Sequence, residues 1–125
     1  MSRDRPAIWR RARRAELVCA LWLRLKGWRI LARNLRLAGA EVDILARRGG
    51  TVAVVEVKQR PDTTAALRAL GPAQRRRLAR AGAAALARPD CRGADLRFDL
   101  MWTAGGRPRH LPDAWRPDAD PVSGM

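Results

Sequence analysis

Tyrosine is absent from this 125-residue sequence, phenylalanine occurs once, and there are only two cysteines. Cys19 and Cys91 stand far apart, outside any CxxC or Cys/His spacing, which argues against a disulfide scaffold and against a thiolate zinc site. With five tryptophans, several at expected core positions, and one phenylalanine, the chain lacks the aromatic surface of a base-stacking, single-strand-binding platform. Long apolar runs are also missing. Nothing approaches the roughly 18 uninterrupted apolar residues of a membrane span. The apolar stretch near the N-terminus is broken by Glu16, Arg24 and Lys26, so neither a secretory signal nor a membrane anchor is expected. A cytoplasmic location follows as the expectation.

Acids are scarce as well: 12 Asp plus Glu stand against 26 Lys plus Arg, a formal charge of +14. Such a surplus repels itself in a compact fold unless a polyanion offsets it. Nucleic acid is the first candidate and an anionic membrane surface the second. Hydrophobic residues make up 47%, too many for a disordered basic tail, and the length suits one domain. Glutamate occurs only as Glu16, Glu41 and Glu56, and lysine only as Lys26 and Lys58. Where nearly every cation is arginine, a surviving lysine points to a need for its compact ammonium.

Residues 7 to 26 carry apolar positions at helical spacing, with Gly27 as a stop. A short strand from Trp28 to about Leu35 follows, then two β-rich runs around Gly49-Gly50. Residues 59 to 71 form a loop with a helical turn at "TTAALRAL". Pro72 suits the first turn of a helix running from Ala73 to about Leu86, "ADLRFDLMW" forms a fourth strand, and "PRHLPDAW" a short edge strand. The expected fold class is α/β: a mixed sheet of three antiparallel strands, a right-handed crossover helix and a parallel fourth strand. The domain is expected to span 7–115, between disordered tails at 1–6 and 116–125.

A two-residue type I′ turn at Gly49-Gly50 would set the hairpin register so that paired residue numbers sum to 99. Val42 then faces Val57, Ile44 faces Val55 and Ala46 faces Ala53, an apolar face whose purity supports the register. On the other face Leu45 meets Val54, Asp43 meets Glu56, and Glu41 meets Lys58. Opposed carboxylates with Cβ atoms about 4.5–5.5 Å apart destabilise a sheet unless a proton or a cation sits between them. Mg²⁺ suits oxygen ligands on rigid strands and keeps waters and an open side for a phosphate. Lys58 projects on the same face, placed to position or help deprotonate an attacking water. The alternative is a solvent-facing hairpin side with a surface Glu41–Lys58 ion pair.

"AEVDIL" followed by "VEVKQR", with Glu56 thirteen positions after Asp43, is similar to the Asp…Glu-x-Lys signature of PD-(D/E)xK nucleases. From about Arg14 to Trp115 the chain more closely resembles the small YraN-type family of bacterial endonuclease-like proteins, related in fold to archaeal Holliday-junction resolvases. The pieces "AELVCALWL", "GWRILARN", "AEVDIL", "VEVKQR", "RFDL" and "RHLPDAW" occur in the expected order. The resemblance implies a restriction-endonuclease-like fold and a Mg²⁺- or Mn²⁺-dependent nuclease. It implies metal ligation by Asp43, Glu56 and the Val57 carbonyl, with Lys58 as catalytic lysine and Glu16 pointing at the site. DNA, branched in the fold relatives, is the implied partner; RNA and a homodimer are both left open. Two positions depart from the pattern: Ala15 and Ala40 stand where glycine is expected, and Ala40 would restrict the turn into the second strand. The rival reading is a non-catalytic nucleic-acid-binding module of the same fold.

Outside this set, Gln59 and Arg60 extend beyond the strand, either to contact the scissile or a flanking phosphate or as a solvated strand end. Arg75, Arg76 and Arg80 lie on a helix whose arginines, Arg77 among them, span most of its circumference, so only a subset can face one partner. His110 is expected to be structural, and Arg97 with Asp99 to form an ion pair on the sheet.

Overall fold

The computed structural model describes residues 4–117. Its elements are α1 (Asp4–Leu25), β1 (Arg29–Leu37), β2 (Ala40–Arg48), β3 (Thr51–Gln59), α2 (Thr63–Arg68), α3 (Pro72–Ala85), β4 (Asp95–Ala104) and β5 (Arg107–Trp115). The five strands form one sheet in the order β1-β2-β3-β4-β5. All neighbours are antiparallel except β3 and β4, which run parallel and are joined through α2 and α3. This mixed α/β arrangement is the expected class and is consistent with a restriction-endonuclease-like fold.

The β2–β3 register is the expected one: Ile44 pairs with Val55, Leu45 with Val54 and Ala46 with Ala53. The turn differs from type I′. Only Gly49, at φ 59°, has the positive φ that type I′ demands at both central residues, which is the φ pattern of type II′. At the preceding hairpin the left-handed residues are Ala38 (φ 49°) and Gly39 (φ 81°), while Ala40 has already entered β2. The restriction expected at Ala40 therefore falls on Ala38.

Both faces of the hairpin are covered. Cys19, Ala20 and Leu23 of α1 pack with Ile44, Ala46, Ala53 and Val55 on one face. Leu78, Ala81 and Ala85 of α3 pack with Leu45, Val52, Val54 and Phe98 on the other. Strand alternation thus puts α1 and α3 on opposite sides. α3 sits close, since a Cβ added at Gly82 would lie 2.8 Å from Leu96 Cδ2 and 3.1 Å from the Phe98 ring. One expected face partner departs: Val42 packs with the α3-side cluster rather than with Ile44 and Val55. The β2–β3 ladder ends at Ile44–Val55, so Val42 lies where the strands have stopped pairing.

The expected short edge strand is a nine-residue β5, antiparallel to β4. Pro108 and Pro112 are tolerated there because an outer strand has one side without a ladder. Asp99, 1% exposed, ties the two strands together. Its carboxylate accepts from Arg97 Nε and Nη2 (both 2.8 Å) and from the Asp113 N–H (2.9 Å), and lies 2.8 Å from His110 Nε2. Burial pushes the Asp99 carboxyl up, but the hydrogen bonds from His110, Arg97 and Asp113 outweigh it and hold its pKa below the ordinary value. Trp22 of α1 meets the His110 ring edge-on at 5.6 Å. The ion pair and the structural histidine are as expected. α1 begins at Asp4, inside the segment expected to be disordered. Residues 1–3, and 118–125 of the expected C-terminal tail, lie outside the described residues.

Candidate active site

Where β2 and β3 stop pairing, their side chains take over from the ladder. The Val57 N–H, which a continued ladder would offer to the β2 backbone, donates instead to Asp43 Oδ2 at 2.8 Å. Glu56, one residue earlier, is 4% exposed. A solvent-facing hairpin side is therefore excluded: α3 covers it, and Asp43 and Glu56 face a cleft of about 340 Å³.

Glu16 of α1, Glu41 and Asp43 of β2, Glu56, Val57 and Lys58 of β3, and Gln74 and Arg77 of α3 line this cleft. All three glutamates of the chain are there, on a molecule of net charge +14. That concentration of scarce acid has an electrostatic cost visible in the carboxyls. Burial first, then the hydrogen bond to and charge of Glu56, push the Asp43 pKa well above the carboxylate range, against the lowering effects of the Val57 N–H and Lys58. Asp43 therefore keeps its proton further up the pH scale than an isolated carboxyl does. Burial and the charge of Asp43 also raise Glu16, whose buried Oε2 has no hydrogen-bond partner among the described residues. The Cys19 thiol nearby is pushed to about 12 by burial and by Asp43 and Glu16, which keeps it an inert core residue.

Lys58 Nζ stands 3.7 Å from Glu56 Oε2 and donates to Gln74 Oε1 at 3.4 Å, while Gln74 Nε2 donates to Glu56 Oε2. The cleft thus brings together Asp43, Glu56, Val57, Lys58 and Glu16. It does not form the expected Glu41–Lys58 pair: Glu41 is exposed on the cleft rim opposite Arg36 of β1. Arg60, Arg75, Arg76 and Arg80 do not line the cleft. Arg60 bonds the Gln59 carbonyl at 2.8 Å and Arg75 the Leu70 carbonyl at 3.1 Å, while Arg76 and Arg80 are exposed. The polar α3 residues that do reach the cleft, Gln74 and Arg77, lie one helical turn apart, beside Leu78. Their shared face was the available signal, since Leu78, Ala81 and Ala85 mark the side of α3 turned to the sheet.

Among the described residues no three His, Cys, Asp or Glu side chains form a ready-made metal centre. What the cleft offers is two carboxylates held in conflict, a third acid with an unsatisfied buried oxygen, and a strand carbonyl at Val57. Such a set fits a hard divalent cation that keeps several of its own waters.

Fold and cleft together define an α/β domain of restriction-endonuclease-like architecture with an acidic site at the open end of a β-hairpin. The sequence profile of the uncharacterised protein family UPF0102 matches residues 15–102. The chain is 52% identical over 123 residues to the UPF0102 protein amb4503 of Paramagnetospirillum magneticum, covering 94% of this chain and 95% of that one. It is 50% identical over 113 residues to a UPF0102 protein of Parvibaculum lavamentivorans (89% and 85%) and 52% over 105 residues to one of Caulobacter vibrioides (82% and 84%). The chain belongs to the UPF0102 family. No described helix is long and apolar enough to cross a membrane.

Proposed function

We propose that the chain is a metal-dependent endonuclease of the PD-(D/E)xK type that hydrolyses phosphodiester bonds in DNA, branched DNA being the substrate suggested by its YraN-type resemblance. The observation that carries this reading is the convergence of Asp43, Glu56 and Lys58 in one cleft, the two acids in electrostatic conflict and the lysine beside them. Beside the pair, a buried Glu16 oxygen has no hydrogen-bond partner among the described residues.

Mg²⁺ or Mn²⁺ held by Asp43, Glu56 and the Val57 carbonyl would supply Lewis-acid polarisation of the phosphoryl oxygen. The remaining work falls to the chain. The Lys58 ammonium orients the attacking water and places positive charge where charge builds on the phosphorus oxygens. Arg77, on the cleft wall, is the α3 cation placed to take a flanking phosphate. Surface arginines hold the backbone without reading sequence, as phosphate contacts do.

Duplex, single-stranded, flap and four-way-junction DNA, with a matched RNA, incubated with Mg²⁺ or Mn²⁺ and analysed for both binding and strand scission, test the reading. Scission of at least one substrate that needs both metal and Asp43 is expected. Retention of every substrate with no scission would assign the fold to a non-catalytic binding module.

A further inference from the structure

Gln74 has no counterpart in the acid-and-lysine signature, yet it touches two of its three members. Its Nε2 donates to Glu56 Oε2, and its Oε1 accepts from Lys58 Nζ at 3.4 Å. Lys58 Nζ stands 3.7 Å from that same Glu56 oxygen, beyond the roughly 2.7–2.9 Å of a direct charge-assisted hydrogen bond. A primary amide is a donor at one end and an acceptor at the other, so it can satisfy a carboxylate and an ammonium together. A lysine there would only donate, and a carboxylate would repel Glu56.

We infer that Gln74 is a positioning residue that holds the Lys58 ammonium off Glu56, leaving the carboxylate's charge to a cation and the ammonium directed into the cleft. Its functional part rests on the nuclease reading. Without the amide, nothing stands between the ammonium and the carboxylate, and at 4–5% side-chain exposure Glu56 attracts it strongly. The two would close into a direct ion pair. Lys58 would then put a positive charge where the neutral amide stood, cancel the carboxylate charge that draws a metal, and leave the place from which it acts on water. Gln74 can serve as a fixed strut because it sits in the first turn of α3, behind Gly71 and Pro72, on a helix anchored by buried Leu78, Ala81 and Ala85.

The test uses the full chain and the fact that it has only two lysines, Lys26 and Lys58. In protein labelled with ¹⁵N-lysine, the Lys58 Nζ resonance, assigned through Lys58→Arg, should move in Gln74→Met while that of Lys26 stays. Adding Glu56→Gln to Gln74→Met should cancel most of that movement, because the new ion pair has lost its carboxylate. Gln74→Asn, one methylene too short to reach both partners, should behave as Gln74→Met does and serves if the Met variant folds poorly. Mn²⁺ affinity of the DNA-free protein should fall several-fold in Gln74→Met. On a cleaved substrate, kcat should drop at least tenfold with KM within twofold. A Lys58 resonance unmoved by both substitutions, or moved equally with and without Glu56, overturns the inference. Should wild type neither bind Mn²⁺ nor cleave any DNA, the nuclease reading falls, and the resonances alone then decide whether Gln74 separates Lys58 from Glu56.

Discussion

Asp43 does two things that respond differently to substitution: it accepts the Val57 N–H at 2.8 Å, and it crowds Glu56. Asp43→Asn keeps an acceptor for Val57 and removes the conflict. Because the folded protein raises the Asp43 pKa, it binds that proton more tightly than the unfolded chain does. Wild type therefore loses stability as pH rises from about 4, the unfolded carboxylate pKa, toward the folded value. Thermal melts in EDTA should show Asp43→Asn equal to wild type near pH 4 and more stable by at least about 1 kcal/mol at pH 7. With Mg²⁺ several-fold above its dissociation constant, wild type should gain about 1 kcal/mol and the variant little. A variant that melts lower at neutral pH, with no metal effect on either protein, would make Asp43 a structural acid. Ala38 supplies a second residue-scale prediction. An L-residue at φ 49° is strained, so Ala38→Gly should stabilise by about 1 kcal/mol in urea unfolding, with the m-value unchanged. At this scale the acids and lysine were legible because strand alternation places 56 and 58 on one face and the Gly49-Gly50 register sets 43 against 56. The bond from Val57 to Asp43 was not, because alternation says nothing about where a ladder ends.

β4 and β5 are held together from inside by Asp99, and this junction should govern the stability of the outer half of the sheet. Asp99→Asn removes the charge that Arg97 and His110 surround and should cost about 3 kcal/mol, as breaking one side of a buried ion pair does. Since the folded state lowers the Asp99 pKa, its contribution is present above the unfolded value of about 3.9 and disappears as pH falls through the folded value. Denaturant midpoints for wild type and Asp99→Asn should therefore be well separated at pH 6 and converge below pH 4; a constant separation would mean the ionised carboxylate is not what matters. The elements themselves were legible where periodicity and punctuation agree, as at Gly49-Gly50 and at Pro72. β5 was underestimated because Pro108 and Pro112 look like breakers, and only its position as an outer strand accommodates them. Gln74 and Arg77 were missed for a related reason. Leu78, Ala81 and Ala85 mark the buried face of α3, but nothing local to α3 says which end of the hairpin that face meets, since the contact is made across the β3–β4 crossover.

At the scale of the whole molecule, a body of charge +14 carries its three glutamates in a single cleft. On the proposed nuclease reading, a polyanion drawn to the arginine-rich surface would meet an acidic site that a cation must bridge, coupling metal to substrate. DNA binding should accordingly weaken with salt, log affinity falling by about 0.9 per neutralised phosphate against log salt. Arg77→Ala should reduce that slope by about one phosphate. A flat salt dependence would point to a protein or small-molecule partner instead. The central claim, that Asp43, Glu56 and Lys58 break a phosphodiester bond, is tested most directly by single-turnover cleavage of the tightest-bound DNA substrate in Mn²⁺. Wild type should produce ligatable or phosphatase-sensitive ends. Asp43→Ala, Glu56→Gln and Lys58→Met should each lose at least about 10²-fold in rate while still binding the DNA, the order of loss seen when charge-stabilising groups are removed. Equal rates for wild type and all three variants, or no scission by any of them, would contradict it.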